Sequence, residues 1–185
     1  MRRGGPCGRP PNQNQAGDVI MTNKRRKNIR LHGYDYSSAG GYFLTVCTWG
    51  RKCILSQVIP GNQFVSAELQ LTEFGTIVQS AIEETIGRTG IQVKSMALMP
   101  NHIHLVLVIP EEGSAYTVGS FVGMFKSLAL HQWRTVCNQR GIRMGTIWQR
   151  NFYEHIIRNE ADYLEKLRYI AENPDSWLKD ELYGE

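Results

Sequence analysis

Residues 99–110 read Met99-Pro100-Asn101-His102-Ile103-His104-Leu105-Val106-Leu107-Val108-Ile109-Pro110, a short turn followed by an apolar run. The run has the length and the branched aliphatic content of a buried β-strand. Successive side chains of a strand alternate between its two faces, so His102 and His104 share one face, about 6.6 Å apart. Two imidazoles at that separation can bind one divalent metal. The simpler alternative is a pair of polar residues at the mouth of a buried strand.

The segment Asn159–Pro174 predicts a single capped helix near the end of the chain. Asn159 is an N-cap residue, and Glu160 and Asp162 place negative charge in the first turn, where the helix dipole favours it. Pro174 is expected to end the helix. The apolar stripe at helical spacing consists of Tyr163, Leu167 and Ile170, with Leu164 and Ala171 on its edge.

Tyr169 lies off that apolar stripe, and Asn173 follows it by one helical turn. A phenol and an amide therefore project together from a side of the helix that the hydrophobic pattern does not require. Taken alone, such a tyrosine is most simply a structural or amphipathic surface residue. Together with the histidine pair, it indicates a nucleophile beside a metal.

This combination suits phosphoryl transfer. A tyrosine hydroxyl with a pKa near 10 is a poor nucleophile, so it needs an electrophile such as a metal-bound phosphate, and the product would be a phosphotyrosine ester. A metal held by His102 and His104 would polarise a phosphodiester, and Asn173 could complete the coordination through its side-chain oxygen. Open coordination of this kind favours Mg²⁺ or Mn²⁺. A structural zinc site would need four closed ligands, and the sequence suggests no such set.

On these residues the chain resembles the HUH single-tyrosine transposases, and within them the REP-associated tyrosine transposase branch. The resemblance spans residues 28–177. Its motifs are Met99–Leu105, Ile147-Trp148-Gln149-Arg150-Asn151-Phe152-Tyr153-Glu154-His155-Ile156-Ile157-Arg158-Asn159 and Leu167-Arg168-Tyr169-Ile170-Ala171-Glu172-Asn173-Pro174, with similar segments at Ile29–Tyr36 and Tyr42–Thr48.

The resemblance implies that His102 and His104 are metal ligands, that Asn173 is the third ligand, and that Tyr169 cleaves single-stranded DNA. Cleavage in such enzymes leaves a 5′-phosphotyrosine and a free 3′-hydroxyl. Ile103 satisfies the hydrophobic middle position of the motif. The resemblance also implies single-stranded or hairpin DNA from repetitive palindromes as the partner, and a monomer, with a homodimer as the alternative. The competing tyrosine, Tyr153, is interpreted as a stacking or packing residue of a strand.

The coarse pattern of elements predicts an α+β fold. A β-α-β-β-α-β order implies a ferredoxin-like antiparallel sheet with helices packed on one face, which is the scaffold of HUH endonucleases. Residues 53–71 are expected to form an inserted hairpin. The expected elements are strands at 42–48, 91–98, 102–109 and 152–157 and helices at 72–88, 117–139 and 160–173.

The net charge of +4 is unevenly distributed along the 185 residues. Residues 1–31 carry eight Lys or Arg against Asp18, which gives +7 and leaves −3 for the rest. Residues 1–27 are expected to be a disordered basic tail whose run Lys24, Arg25, Arg26 and Lys27 could bind phosphates, 28–177 the catalytic domain and 178–185 a C-terminal tail. The alternative for the basic run is an ordinary solvated charge cluster. Four cysteines without framework spacing and no apolar signal or membrane-spanning segment favour a cytoplasmic protein.

Further DNA contacts are expected on the second long helix and before the last strand. Cationic groups position phosphates, and exposed aromatic rings stack on unpaired bases. The alternatives are that the cations are merely solvated and that Trp148 belongs to the core; His155 is expected to be buried or to face DNA, away from the metal pair. The candidate DNA-binding residues are Lys126, Arg134, Trp148 and Arg150.

Three classes of function agree with the sequence. The first is a metal-dependent endonuclease and strand transferase that acts on single-stranded or hairpin DNA. The second is a DNA-hairpin-binding regulator with the same fold and no catalysis, and the third is a metal-dependent hydrolase of another phosphoester. A pure DNA-binding protein has no use for a phenol beside a metal pair, so the residues favour the first class.

Overall fold

The computed structural model describes residues 37–177. Every predicted element is present, and its ends agree with the expected ones to within two residues, except at the end of the last helix. The predicted tails at 1–27 and 178–185, with the basic run at 24–27, lie outside the described residues. The elements are β1 (Gly40–Cys47), β2 (Ser56–Ile59), β3 (Glu68–Leu71), α1 (Glu73–Thr89), β4 (Gln92–Leu98), β5 (His102–Ile109), α2 (Val118–Gln139), β6 (Tyr153–Ile157) and α3 (Glu160–Trp177).

The four long strands form one antiparallel sheet in the order β4-β5-β1-β6. This is the ferredoxin-like arrangement predicted from the order of elements. The short strands β2 and β3 pair separately as the predicted inserted hairpin. In the register of β1 against β5, Cys47 lies opposite His102 and Thr45 lies opposite His104. The histidine pair therefore shares its face with Thr45 and Cys47.

The helices lie on both faces of the sheet, and the expectation of helices on one face was wrong. On one face, α1 and α2 pack on the main core, which contains Leu44, Val46, Leu105, Phe121 and Phe125. On the opposite face, α3 buries Ile170 and Trp177 in a second cluster with Phe43, Val106, Ala97 and Met99. The reason is that β1 and β5 are apolar on both faces, so each face needs its own cover. The histidine pair lies beneath α3.

Helix α3 begins as predicted and ends later than predicted. The Asn159 side chain accepts a hydrogen bond from the Asp162 backbone N–H at 2.9 Å, which is the expected N-cap. The helix continues through Pro174 to Trp177, so the expected stop at Pro174 was wrong. Leu164 and Ala171 are exposed, which places the buried edge of the stripe on the Pro174 and Trp177 side. Burial of these two side chains offsets the backbone hydrogen bond that proline cannot donate.

We expect Asn159→Ala to lower the free energy of unfolding by about 1 kcal/mol, because the first turn of α3 loses its capping acceptor. Urea denaturation followed by circular dichroism measures this change. Asn159→Asp, which retains an acceptor oxygen, is the matched control and should unfold close to the wild type. A loss of equal size in both variants would show that the cap does not stabilise the helix.

Candidate metal and nucleophile site

His102 and His104 converge at the start of β5. Their Nε2 atoms lie 3.0 Å apart, and their ring centroids are separated by 4.5 Å. The strand places both Cβ atoms on the α3 face, and the rings then turn toward each other. His104 is buried and His102 is partly buried. Two potential lone pairs therefore lie close together at the end of the sheet where β5 begins.

Both imidazoles are neutral at physiological pH. Burial, with smaller contributions from repulsion by His104 and by the Arg51 guanidinium, lowers the pKa of His102 to about 3. Burial also lowers the pKa of His104 to about 4, partly opposed by a hydrogen bond to the backbone of Leu44. A neutral imidazole can offer a nitrogen lone pair to a metal, whereas an imidazolium cannot.

The second ring nitrogen of each histidine contacts a side-chain oxygen. His102 Nδ1 lies 2.7 Å from Asn101 Oδ1, and His104 Nδ1 lies 3.0 Å from Thr45 Oγ1. Asn101 is itself buried at the end of the turn that precedes β5. Each imidazole is thus held by a neighbour on the side away from the point where the two Nε2 atoms meet.

Tyr169 lies beside this pair. Its ring centroid is 5.1 Å from that of His104 and 5.8 Å from that of Phe43, and both contacts are edge-on. The side chain is 48% exposed, so the ring has one side against the sheet and the other toward solvent. The structure therefore brings together the predicted nucleophile and the predicted metal ligands, from elements 65 residues apart in the chain.

Asn173 occupies the same stripe of α3. It follows Tyr169 by one turn and precedes Trp177 by one turn, and the Trp177 ring lies 5.7 Å from that of His102. Since Tyr169 contacts His104 and Trp177 contacts His102, the two aromatic residues bracket the histidine pair, about 12 Å apart along the helix. Asn173, buried midway between them, lies on the stripe that faces the pair.

These residues fit a divalent metal. Two ligands at about 2.1 Å from an octahedral ion and at a right angle to each other are about 3.0 Å apart, which is the separation of the two Nε2 atoms. Within residues 37–177 no group of three or more His, Cys, Asp or Glu side chains could hold a metal. The amide of Asn173, on the stripe of α3 that faces the pair, is the candidate for a third ligand. Such a set leaves positions for phosphate oxygens.

The lowered histidine pKa values predict a loss of stability in mild acid. Between about pH 6.5 and pH 4 the two histidines are protonated in the unfolded chain but remain neutral in the folded protein. The free energy of unfolding should therefore decrease as the pH falls. The slope contributed by each histidine approaches about 1.4 kcal/mol per pH unit. Urea titrations with EDTA at several pH values measure it, and His104→Gln should reduce the slope. The prediction is wrong if the wild type is equally stable at pH 7 and pH 4.5.

His155 anchors the start of α3 to β6. Its Nε2 lies 2.8 Å from Asp162 Oδ2, and this contact lowers the pKa of the Asp162 carboxyl. Lys166 Nζ lies 3.7 Å from the other oxygen of the same carboxylate. The interpretation of His155 as a residue outside the metal pair agrees with this position. Tyr153, on the same strand, is 45% exposed, so its ring does not pack in the core.

The predicted DNA-binding residues are not all at this site. Trp148 is buried against Phe74 and Phe125, so it is a core residue, and a base cannot stack on its ring. Lys126 Nζ donates a hydrogen bond to the Gln149 carbonyl oxygen at 3.0 Å, and burial lowers the pKa of Lys126 to about 8. The Lys126 amine is therefore engaged in a hydrogen bond within the protein.

Arg134 and Arg150 are both exposed. Arg134 is on α2, which covers the face of the sheet opposite Tyr169. Arg150 follows Gln149, whose N–H donates to the Cys47 carbonyl oxygen, so it lies near the end of the sheet that carries the histidines. The DNA contacts of the two arginines remain predictions.

Sequence reasoning missed Arg51 and Trp177. Arg51 lies in the turn Trp49–Arg51 directly after β1, with a φ of 50°, and its charge acts on His102. A positive φ is unusual for a residue other than glycine and is frequent at functional turns. Nothing in the local sequence marks Arg51. The sequence pattern does not indicate Trp177, because it places the end of the helix at Pro174, three residues before Trp177.

Comparison with known proteins identifies the family. The family described as "Transposase IS200 like" matches residues 67–173, which is more than half of the chain. The chain belongs to the IS200-like transposase family. An uncharacterized protein of Haemophilus influenzae is 32% identical over 178 residues, covering 85% of this chain and 93% of that protein. The REP-associated tyrosine transposase of Escherichia coli K12 is 24% identical over 148 residues, covering 78% of this chain and 73% of that protein.

A solved structure supports the fold assignment. The structure of a REP-associated tyrosine transposase bound to a REP hairpin aligns with a TM-score of 0.55 at 21% sequence identity, covering 80% of this chain and 74% of that one. The likeness concerns the fold, an antiparallel sheet with helices. Within the described range, none of the helices is both long enough and apolar enough to cross a bilayer.

Proposed function

We propose that this transposase-family protein cleaves single-stranded DNA with the Tyr169 hydroxyl as the nucleophile. The observation that carries the proposal is the position of the half-exposed Tyr169 ring, 5.1 Å from the ring of His104, whose Nε2 meets that of His102. A phenol that only packed would be covered by α3 and the sheet, and a surface phenol would not contact the buried imidazole.

The chemistry follows from the groups present. The Tyr169 oxygen forms a bond to the scissile phosphorus as the bond from phosphorus to the 3′ oxygen breaks. The phenol loses its proton, and the departing 3′ oxygen takes one up, which leaves a 5′-phosphotyrosine and a free 3′-hydroxyl. The ester bond is exchanged and not hydrolysed, so the reverse attack by a 3′-hydroxyl can rejoin strands. The same site would therefore perform both cleavage and strand transfer.

His102, His104 and Asn173 would hold Mg²⁺ or Mn²⁺. A bound ion of this kind polarises the phosphodiester and neutralises charge that develops during transfer. The residues contribute neutral nitrogen lone pairs and, from Asn173, an amide oxygen. The Phe43 ring supports the ring of Tyr169 on one side and stacks on His104 on the other at 5.2 Å, so it holds both groups at a fixed separation.

The substrate we propose is repetitive palindromic DNA that forms hairpins, cleaved in an adjacent single strand. The related transposase with a similar fold was solved bound to a REP hairpin, which supports this choice. Arg51 is suited to contact a phosphate near the metal, because its guanidinium is close enough to His102 to lower the pKa of that imidazole. The protein would act as a monomer, and a homodimer is the alternative that gel filtration distinguishes.

A covalent-adduct assay tests the proposal. Labelled single strands that carry a hairpin are incubated with the protein and Mn²⁺ and separated under denaturing conditions. We expect a DNA–protein adduct that EDTA prevents, and mass spectrometry of the digested adduct should locate the nucleotide on the peptide that contains Tyr169. Binding without any adduct would favour the hairpin-binding regulator, and release of product without an adduct would favour a phosphoester hydrolase.

A further inference from the structure

Each histidine of the pair has an oxygen atom close to its Nδ1, and a hydrogen bond to this oxygen affects which nitrogen of the ring carries the proton. Neutral imidazole carries one proton, on either Nδ1 or Nε2, and a hydrogen bond at one nitrogen decides which. Only the tautomer with a proton on Nδ1 leaves a lone pair on Nε2. The two Nε2 atoms lie 3.0 Å apart, so both must be unprotonated if they are to share one cation.

Asn101 settles the tautomer of His102. Its Oδ1 can only accept a hydrogen bond, and it lies 2.7 Å from His102 Nδ1, so this nitrogen must be the donor. The acceptor is firmly placed. Asn101 is buried, and its backbone carbonyl oxygen accepts hydrogen bonds from the Thr48 N–H and the Thr48 hydroxyl, both at 3.0 Å. The turn before β5 is thus fixed to the end of β1, and the amide oxygen is fixed with it.

The His104 ring contacts Thr45 and the backbone of Leu44 on β1. Thr45 Oγ1 lies 3.0 Å from His104 Nδ1, and the register of β1 against β5 places the two residues directly opposite. The hydroxyl alone could donate or accept. A hydrogen bond between the His104 ring and the Leu44 backbone raises the pKa of His104. In the Nδ1-protonated tautomer of His104, this nitrogen would donate its hydrogen bond to Thr45 Oγ1 on β1.

We propose that Asn101 and Thr45 are positioning residues that hold both imidazoles in the Nδ1-protonated tautomer and so direct both Nε2 lone pairs at one cation. Two unprotonated nitrogens 3.0 Å apart repel each other, and a cation between them removes that repulsion. The proposal rests on the metal site of the proposed function and adds how this chain prepares it. Partners of this kind typically change metal affinity by about 10- to 100-fold.

Removal of one acceptor at a time tests the inference. Thr45→Val keeps the shape of the side chain and removes the oxygen, whereas Thr45→Ser keeps the oxygen. Asn101→Ala removes the amide, whereas Asn101→Asp keeps an acceptor at the same place. Calorimetric titration with Mn²⁺ should show about 10- to 100-fold weaker binding in Thr45→Val and Asn101→Ala, and recovery of most of the affinity in Thr45→Ser and Asn101→Asp. Thermal denaturation of each variant shows whether the fold persists.

A spectroscopic readout separates this inference from the metal site itself. Long-range ¹H–¹⁵N spectra of the metal-free wild type report which nitrogen of each imidazole is protonated, and we expect the Nδ1 tautomer for His102. Asn101→Ala should shift His102 toward the other tautomer. A wild-type His102 protonated on Nε2, or unchanged Mn²⁺ affinity in both Thr45→Val and Asn101→Ala, overturns the inference. If the wild type binds no Mn²⁺, the metal proposal fails, and the tautomer spectra still decide the positions of the protons.

Discussion

Tyr169→Phe is expected to abolish the covalent DNA–protein adduct, because the nucleophilic oxygen is removed. The rate of adduct formation should fall by a factor on the order of 1,000 or more. Phenylalanine keeps the ring, so the edge-on contacts with His104 and Phe43 remain. Among residues 37–177 the half-exposed Tyr169 side chain has no hydrogen-bond partner that the substitution would remove, so the free energy of unfolding should change little. The adduct assay on denaturing gels measures the loss, and Mn²⁺ titration should show that the metal site is intact.

Tyr153→Phe is the matched control for this substitution. Tyr153 is also about half exposed and lies opposite Thr45 on the same face of the sheet, two strands away from His104. Its loss of a hydroxyl should leave adduct formation within a few-fold of the wild type, because no metal ligand adjoins its ring. An adduct that persists in Tyr169→Phe and disappears in Tyr153→Phe would transfer the nucleophile to β6 and overturn the proposed role of Tyr169.

The parts of this molecule that follow local rules could be predicted from the sequence. The caps are examples: Thr72 accepts from the Gly75 N–H at the start of α1, Gly90 ends that helix with a φ of 70°, and Asn159 caps α3. Each cap depends on residues within one helical turn of each other, so the local sequence is sufficient to predict it. The shared face of His102 and His104 follows from strand geometry in the same way.

Features that depend on packing between distant segments could not be predicted. The choice of face for α3 is made by Ile170 and Trp177 against Phe43 and Val106, which the helical pattern alone does not specify. The extension of α3 past Pro174 has the same origin. Trp148 was ambiguous because an aromatic residue before a strand suits both a DNA surface and a core, and only its contacts with Phe74 and Phe125 decide.

The residues of the candidate site likewise include some that the local sequence predicts and others that only the fold brings to the site. The sequence predicted both histidines, Tyr169 and Asn173 as site residues, since each occurs in a recognisable local pattern, and the structure places the rings of His102, His104 and Tyr169 together. It did not indicate Thr45, which is 59 residues from His104 and meets it only through the register of β1 against β5. Arg51 likewise reaches His102 only because the turn after β1 lies beside the start of β5. Sequence patterns thus predict the candidate groups, whereas the orientation and electrostatics of these groups require the fold.

His104→Ala is expected to remove Mn²⁺ binding and adduct formation together, because His104 is a ligand of the proposed metal site and its ring contacts that of Tyr169. We expect Mn²⁺ affinity to fall by a factor on the order of 100 or more, since loss of a direct ligand should have a larger effect than loss of a residue that hydrogen-bonds to a ligand. His131→Ala is the control: His131 is exposed on α2, on the opposite face of the sheet, and should bind Mn²⁺ and form the adduct like the wild type.

The comparison of His104→Ala with Tyr169→Phe separates the two roles at the site. If the ion and the nucleophile act together, both variants fail to form the adduct. Only His104→Ala should lose Mn²⁺ affinity, because Tyr169→Phe keeps the ring that makes the T-shaped contact with His104 and removes no proposed metal ligand. Adduct formation by His104→Ala with EDTA present would show that cleavage needs no metal here. The convergence of the two Nε2 atoms would then have a purely structural meaning, as one N–H···N hydrogen bond that closes the end of β5.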